Sequence, residues 1–231
     1  MQAAILAGGL GTRLRPLSEK IPKPMVSVNG KPFLEYEIEL LKKNGVHHFV
    51  LCVGYLGDVI QDHFGDGRKF GVRIAYSAEG KKLLGPAGAL KKAEPILEDS
   101  FIATYGDGYL LMDYQVAWDR FLRSSKLGMM AVYENHNELA RSDLVVKGGY
   151  VTRYDKKNST PEMVWINFGV SFLKRKALQF IPADKEYGEE EFYNMLIEKQ
   201  ELLAYETKER FYEIGTPAAL REFESFMSSK K

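Results

Sequence analysis

The sequence predicts an α/β fold: a Rossmann-like three-layer sandwich with a mostly parallel central sheet and a small mixed lobe. Short apolar runs alternate with helical patterns through the first half of the chain, which implies right-handed crossovers between parallel strands. A glycine-rich loop follows the first apolar run, at the edge where such sheets place their ligands. In the second half, a hairpin pattern and short strands replace this alternation.

Four apolar runs of the first half are strand candidates: QAAIL (2–6), HHFVLCVGY (47–55), VRIAYSA (72–78) and SFIATYGD (100–107). The segment KPFLEYEIELLKKNG (31–45) predicts a helix, because Leu34, Ile38 and Leu41 share one face. Pro32 suits the first turn of this helix and Gly45 suits its C-terminal cap. GDVIQDHF (57–64) and PAGALKKAEPIL (86–97) predict two more helices.

The second half begins with a predicted hairpin, SDLVVKGGYVTRYD (142–155), that turns at Gly148-Gly149. The apolar run MVWINFGVSFL (163–173) and the helical pattern EEEFYNMLIEK (189–199) follow it. LLAYET (202–207) and RFYEIG (210–215) are expected to pair as strands before a closing helix, PAALREFESFM (217–227). The chain shows no repeat or low-complexity linker, so we expect one domain over residues 1–231, with halves of about 1–110 and 111–231.

The composition excludes several function classes. The formal net charge is +1, so no global field recruits nucleic acid or an anionic membrane. The single cysteine, Cys52, lies in an apolar run and reads as a core thiol in a reducing compartment. The N-terminus lacks a signal-peptide pattern and no apolar stretch approaches a membrane span, so we expect a cytoplasmic protein. Phe223 and Phe226 suit either a core or an interface, which leaves a homo-oligomer open.

The loop LAGGLGTRLRP (6–16) indicates phosphate binding, because glycines expose consecutive backbone N–H groups to an anion. It is not a Walker loop, since Gly11-Thr12-Arg13 stands where Gly-Lys-Ser/Thr is required. It is not the dinucleotide fingerprint either, since Leu14 replaces the last glycine. Arg13, and Lys23 in PKP, suit a triphosphate. A mobile glycine turn with solvated basic residues is the alternative.

The segment LAGGLGTRLRPLSEKIPKPMVSVNGKPFLEY (6–36) resembles the signature of the sugar-phosphate nucleotidyltransferases, also called NDP-sugar pyrophosphorylases. LLGPAGAL, TYGDGYL, YDKK with INFGV, and YEIGTP match later family segments in the expected order. The chain is similar to the short, single-domain heptose- and mannose-1-phosphate guanylyltransferases, which act in nucleotide-sugar biosynthesis for cell-surface polysaccharide.

The resemblance implies that a nucleoside triphosphate and a sugar 1-phosphate give an NDP-sugar and pyrophosphate, with Mg²⁺ as cofactor. It favours GTP with a mannose- or manno-heptose-type 1-phosphate. A uridylyltransferase acting on a muramate-type sugar, a thymidylyl- or cytidylyltransferase, and a non-catalytic nucleotide-sugar sensor are the alternatives. The nucleophile is already an anion, so no general base is required. The four histidines lack metal-ligand spacing and read as surface residues.

By resemblance, Arg13, Lys23 and Asp107 are the catalytic residues, and Asp107 and Glu213 are the metal ligands, with Glu213 standing where the family usually has Asp. The nucleotide-binding residues are Leu6, Ala7, Gly8, Gly9, Gly11, Thr12, Arg13, Lys23, Glu79 and Gly85. The sugar-phosphate-binding residues are Asp143, Lys156 and Asn167, with a solvated loop as the alternative for Asp143 and for its neighbour Arg141. Lys157 replaces Lys156 if the register slips.

Overall fold

The computed structural model describes residues 1–14, 16–80 and 82–230. The first half contains β1 (Gln2–Leu6), β2 (Ser27–Val28), β3 (Lys31–Pro32), α1 (Phe33–Lys43), β4 (His48–Val53), α2 (Gly57–Phe64), β5 (Arg73–Ala78), α3 (Gly85–Ala93) and β6 (Ser100–Tyr105). The second half contains β7 (Gly108–Leu110), α4 (Tyr114–Arg123), β8 (Gly128–Glu134), β9 (Leu144–Lys147), β10 (Tyr150–Tyr154), β11 (Trp165–Lys174), α5 (Glu189–Glu198), β12 (Leu202–Glu206), β13 (Phe211–Glu213) and α6 (Pro217–Ser228). Short 3₁₀ turns lie at Thr12–Leu14, Leu17–Glu19, Lys23–Met25, Arg68–Phe70, Glu94–Ile96 and Arg175–Phe180.

Nine strands of the described part form one mixed sheet in the order β5-β4-β1-β6-β11-β8-β12-β10-β9. Four strands of this sheet come from the first half, namely β1, β4, β5 and β6. They pair in parallel, as the alternation of strands and helices predicts. In the second half, β11 is antiparallel to both of its neighbours, and β12 is parallel to β8. The mostly parallel sheet we expected is therefore not confirmed. Parallel pairs join the four first-half strands and also β8 with β12, but β11 enters the sheet in the reverse direction and makes it mixed.

Apolar side chains cover both faces of the sheet and give the fold three layers. Ala3 and Ile5 of β1 point into one core, and Ala4 points into the other, as the two-residue period of a strand requires. Helices α1, α2, α4 and α6 contribute to the first core. Helices α3 and α5 contribute to the second core.

Local sequence signals account for several element boundaries. In α1, Leu34, Ile38 and Leu41 are buried as predicted, and Gly45 follows its end with a φ of +85°. The β9–β10 hairpin turns at Gly148-Gly149, and both residues have positive φ, as a type I′ turn requires.

The expected pairing of LLAYET with RFYEIG is wrong. Strand β12 lies inside the sheet between β8 and β10, where Leu202 and Ala204 are buried. An interior strand needs a partner on each side, so it has no free edge for β13. Strand β13 pairs instead with β7, which sets Glu213 opposite Gly108 and next to Asp107.

The sequence leaves open whether Phe223 and Phe226 belong to a core or to an interface, and the structure shows where they pack. Phe223 is fully buried against Phe33, and Phe226 stacks on Tyr212 with a centroid separation of 4.2 Å, so both rings pack within the chain. Cys52 is also buried, and burial raises the pKa of its thiol to about 12. Among the described residues, no helix combines the length and apolar character that a membrane span requires.

Candidate active site

The glycine loop opens onto a cavity of about 290 Å³, here called the first cavity. It lies at the carboxyl ends of β1 and β6 and at the N-terminus of α3, the edge predicted from the sheet. All ten residues predicted to bind nucleotide line it: Leu6, Ala7, Gly8, Gly9, Gly11, Thr12, Arg13, Lys23, Glu79 and Gly85. Pro24, Leu83, Pro86, Ala89, Tyr105, Gly106, Asp107 and Gly215 complete the lining.

The loop requires glycine at two of these positions for reasons within the protein. A Cβ on Gly8 would overlap Oε1 of Glu79, so a larger residue would displace that carboxylate. Gly11 has a φ of +61°, and a Cβ there would lie 3.1 Å from the Cβ of Lys23. Ser18 fixes the same turn by donating its hydroxyl to the Gly11 carbonyl at 2.6 Å. The glycines thus bring Glu79 and Lys23 close to the loop backbone.

Glu79 presents an oriented carboxylate to the first cavity. Its Oε2 accepts the backbone N–H of Leu84 at 2.7 Å, and its own N–H donates to Val53 at 2.9 Å. Burial raises the pKa of Glu79, an effect that the Leu84 N–H and the charge of Lys92 partly offset.

Lys23 and Asp107 form an ion pair at the inner end of the first cavity. The Lys23 side chain is 12% exposed and that of Asp107 is 28% exposed, so water screens the pair only partly. Arg13 lies on an exposed 3₁₀ turn at the rim of the same cavity. Both cations line the first cavity, Lys23 largely buried and Arg13 exposed, and a phosphate oxygen is a ligand that each can bind.

A second cavity, of about 170 Å³, adjoins the first and shares Tyr105 and Asp107 with it. The three predicted sugar-phosphate residues, Asp143, Lys156 and Asn167, all line this second cavity, as does Glu213. Thr104, Gly108, Tyr154, Phe168, Gly169, Glu189 and Phe211 complete the lining. Asp107 thus stands at the junction of a glycine-loop cavity and a lysine-bearing cavity.

Glu189, at the first turn of α5, holds Lys156 in the second cavity. It forms an ion pair with the Lys156 ammonium and accepts the Tyr105 hydroxyl, and the Tyr154 hydroxyl donates to Oε1 at 3.1 Å. Its side chain is only 15% exposed. Burial and the charge of Glu189 raise the pKa of Tyr105, which keeps that hydroxyl protonated and able to donate.

Asp143 contributes a carboxylate with a free acceptor to the second cavity. The Asn167 backbone N–H lies near this carboxylate and favours its charged form, and Oδ1 is buried and has no partner in the described part of the chain. Burial raises the pKa of Asp143 to about 6, with a further increase from Glu189 and an opposing effect of Lys156. A buried acceptor of this kind is usually matched by a hydrogen-bond donor, from water or from a ligand.

Two sequence alternatives lie outside both cavities. Arg141 is exposed and donates to the Lys157 carbonyl at 2.7 Å, so it does not line the cavity that contains Asp143. Lys157 is also absent from the lining, and the register that places Lys156 in the site is the one observed.

Asp107 and Glu213 suit a magnesium ion. The β7–β13 pairing brings their segments together, and the Ile214 N–H donates to the Asp107 carbonyl at 3.1 Å. Mg²⁺ usually takes one or two protein carboxylates and completes its shell with phosphates and water. Among the described residues, no group of three or more acidic, histidine or cysteine side chains is placed to hold a metal ion. His48 and His63 pair instead with Glu98 and Glu35, away from both cavities.

No local sequence pattern indicates that Glu189, Tyr105 and Tyr154 are site residues. Glu189 reads only as the first of three glutamates at a helix start, and the tyrosines read as strand residues. Their common role depends on the approach of β6, β10 and α5, which no local pattern encodes.

Gly85 and Gly88 both lie close to the segment before α5, and Gly85 also lines the first cavity. A Cβ on Gly85 would lie 2.7 Å from the Tyr187 carbonyl, and one on Gly88 would lie 2.8 Å from the Lys185 carbonyl. The Tyr187 N–H donates to Leu84 at 2.8 Å. These glycines therefore allow residues 185–187, before α5, to approach α3 closely, and Gly88 does not line the cavity.

The family profile described as "Nucleotidyl transferase" matches residues 2–230. The chain belongs to this family. It is a nucleotidyltransferase, and the recognition made from the sequence motifs is confirmed. Enzymes of the family generally use a divalent metal ion.

Several named relatives of the chain are enzymes that act on sugar phosphates. The chain is 32% identical over 217 residues to D-glycero-alpha-D-manno-heptose 1-phosphate guanylyltransferase of Campylobacter jejuni, covering 94% of this chain and 96% of that protein. It is 34% identical over 203 residues to UTP--glucose-1-phosphate uridylyltransferase of Synechocystis, covering 81% of this chain but only 52% of that protein. The match therefore spans about half of the Synechocystis enzyme.

A solved structure with similar length has the same fold. HddC from Yersinia pseudotuberculosis, in a crystal structure complexed with GMP-PN, superposes with a TM-score of 0.80 at 29% identity. The match covers 98% of this chain and 99% of that chain.

Proposed function

We propose that this nucleotidyltransferase uses GTP and a mannose- or manno-heptose-type 1-phosphate, with Mg²⁺, to form an NDP-sugar and pyrophosphate. The observation that carries the proposal is the junction at Asp107, where a cavity with Arg13 and Lys23 meets a cavity with Lys156. This arrangement suits a triphosphate on one side and a sugar phosphate on the other. The heptose-phosphate guanylyltransferase relative supports this choice of substrates.

The chemistry needs alignment and charge stabilisation rather than proton transfer. A sugar-phosphate oxygen attacks the α-phosphorus, the bond to the β-phosphate breaks, and pyrophosphate leaves with the electron pair. The attacking oxygen is already anionic, so no side chain has to remove a proton. Arg13 and Lys23 stabilise the charge that develops on the leaving group. Bound Mg²⁺, held by Asp107 and Glu213, would neutralise charge on the phosphate oxygens.

Glu79 favours guanine among the bases. A carboxylate only accepts hydrogen bonds, and guanine presents two neighbouring donors on its Watson–Crick edge. Uracil and thymine present one N–H between two carbonyl groups. The oxygens of these carbonyl groups repel the oxygens of a carboxylate. The Leu84 N–H fixes the orientation of Glu79 in the first cavity without exhausting its acceptors.

We also propose that residues 1–231 form one domain, with the nucleotide bound mainly by residues 1–110 and the sugar phosphate mainly by residues 111–231. Its partners are then these two small molecules, with no nucleic acid or membrane. A cytoplasmic location suits both the supply of nucleoside triphosphates and the free buried thiol of Cys52.

Pyrophosphate release tests the proposal. The protein is mixed with Mg²⁺, each of five nucleoside triphosphates and a panel of sugar 1-phosphates, and release should be greatest with GTP and a manno sugar. Turnover with another base would overturn the guanine assignment alone. Silence across the panel with intact GTP binding would overturn the catalytic role and support a nucleotide-sugar sensor.

A base-reading variant sharpens the same experiment. Glu79→Gln offers one donor and one acceptor, so the preference for GTP over UTP in kcat/KM should fall by about tenfold, the value of one hydrogen bond. Glu98→Gln, on the exposed partner of His48, is the matched control and should keep the wild-type preference.

A further inference from the structure

The second cavity contains many more acidic groups than basic groups. Asp107, Asp143, Glu189 and Glu213 line it, whereas Lys156 is the sole cation among the described lining residues. A sugar 1-phosphate is itself an anion. Each charged side chain of the cavity therefore faces either the phosphate or the sugar ring. The side chains that face the ring restrict the charge that the ring can carry.

Three of these five charged groups are assigned to the phosphate side by the proposed function, on which this inference rests. Asp107 and Glu213 lie at the junction with the first cavity, where the metal and the triphosphate belong. Lys156 supplies the cation for the sugar phosphate. Asp143 and Glu189 are the carboxylates that remain on the side of the ring, and Glu189 already shares its charge with Lys156.

Neither remaining carboxylate can readily turn away from the ring. Glu189 is anchored by two tyrosine hydroxyls as well as by Lys156. Asp143 lines the cavity, and its Oδ1 is buried and has no hydrogen-bond partner among the described residues. These oxygens can accept hydrogen bonds from hydroxyl or ammonium groups, but they offer nothing to a second acceptor.

We propose that the sugar site selects 1-phosphates whose ring is uncharged or cationic, with a free hydroxyl toward Asp143, and rejects rings that bear a carboxylate. Uronic acid and muramic acid 1-phosphates belong to the rejected class. Once Lys156 binds the phosphate, the described lining holds no second cation for a ring carboxylate. Two like charges placed together in a partly buried site cost several kcal/mol, which corresponds to a discrimination of about 10²-fold or more.

Matched pairs of sugar phosphates test this selection. Mannose 1-phosphate and mannuronic acid 1-phosphate differ only by oxidation at C6, and glucose and glucuronic acid 1-phosphates form a second pair. With the best nucleotide at pH 8, kcat/KM should favour the neutral member of a pair by about 10²-fold or more. Inhibition constants of the acidic members against the neutral substrate give a readout independent of turnover, and these should be correspondingly weak.

Variants of the two carboxylates show whether their charge or their shape causes the preference for neutral sugar phosphates. Asp143→Asn and Glu189→Gln keep the size of each side chain and remove its charge, so each should narrow the neutral-to-acidic ratio by about tenfold. Glu162→Gln is the matched control, because Glu162 pairs with Lys147 on the surface, 67% exposed. This control should keep the wild-type ratio, and circular dichroism checks that each variant is folded.

The outcomes distinguish this inference from the proposed function. Equal or better turnover of the acidic member of a pair overturns the inference and leaves the transferase role intact. A ratio that neither variant changes also overturns it, because the selection would then not come from these carboxylates. Absence of turnover with every sugar phosphate overturns both.

Discussion

At the scale of single residues, the site depends on a few charged groups whose surroundings fix their roles. Lys23 and Asp107 neutralise each other in the free protein, as do Lys156 and Glu189. Each cation is thus held in its cavity before a phosphate arrives, which reduces the cost of ordering it on binding. Arg13 differs, because it is exposed at the rim.

Arg13→Ala should lower kcat by about 10²-fold or more, since it removes a donor that stabilises developing charge. Steady-state pyrophosphate release measures the effect. Arg68→Ala provides the matched control, because Arg68 is an arginine with an 89% exposed side chain, paired with Asp66 outside both cavities. Equal rates for Arg13→Ala and the control would remove Arg13 from the mechanism.

The pKa of Asp143 predicts a pH-dependent cost in stability. Burial raises this pKa from 3.8 to about 6, so between these values the unfolded chain loses its proton before the folded one does. Stability therefore falls as the pH rises through this window, and the loss is complete above it. The charge of Glu189 adds to this upward shift of the pKa, whereas Lys156 and the Asn167 N–H oppose it.

Asp143→Asn should accordingly raise Tm at pH 8 by roughly 2–6 °C and change it little at pH 4. Thermal unfolding followed by circular dichroism at the two pH values tests this. Asp119→Asn, on an exposed position of α4, serves as the control with no pH-dependent gain. A gain of the same size at both pH values would contradict the titration of Asp143.

At the scale of elements, the contact between α3 and the segment before α5 connects the two cavities. The Tyr187 N–H donates to the Leu84 carbonyl, and the Leu84 N–H donates to Glu79. Glu189, two residues after Tyr187, lines the second cavity. The glycines at the start of α3 thus permit an approach that both sites share.

Gly85→Ala should destabilise the protein by about 1–3 kcal/mol, because its φ is +72° and the added Cβ would collide with the Tyr187 carbonyl. Urea unfolding measures the free energy. Gly80→Ala is a matched control: its φ is +80°, but the space around it is open. It should cost only the backbone term of about 1 kcal/mol. Equal losses would show that the contact with Tyr187 contributes nothing.

The elements also show what the sequence can and cannot predict. Strands β1, β4, β5 and β6 and helix α1 follow from local apolar patterns, since each buries its own run of residues. The partners of β12 and β13 do not, because pairing joins segments far apart in the chain. The motif residues Gly8, Arg13 and Lys23 were predictable as a continuous signature. Glu189 was not, because its role exists only after β6, β10 and α5 meet.

At the scale of the whole molecule, the two halves of the sheet line different cavities. Parallel strands β1 and β6 end at the first cavity, and the reversed strand β11 carries Asn167 into the second. The mixed sheet is therefore what sets the two cavities side by side. A purely parallel sheet would not bring the Asn167 segment back toward Asp107 in this way.

Ligands that occupy this junction should stabilise both halves together. Mg²⁺ with GTP at one hundred times its Kd contributes about 2.7 kcal/mol, a rise in Tm of about 5–10 °C for a chain of this size. With EDTA the rise should be much smaller, because Asp107 then has only Lys23 as its partner and the triphosphate lacks its counter-ion. Asp107→Asn should show the same small rise with and without Mg²⁺, whereas Asp66→Asn, outside both cavities, should behave as wild type. A wild-type rise that EDTA leaves unchanged would mean that the nucleotide binds without a metal at Asp107, and the junction would then hold the polyphosphate by Arg13 and Lys23 alone.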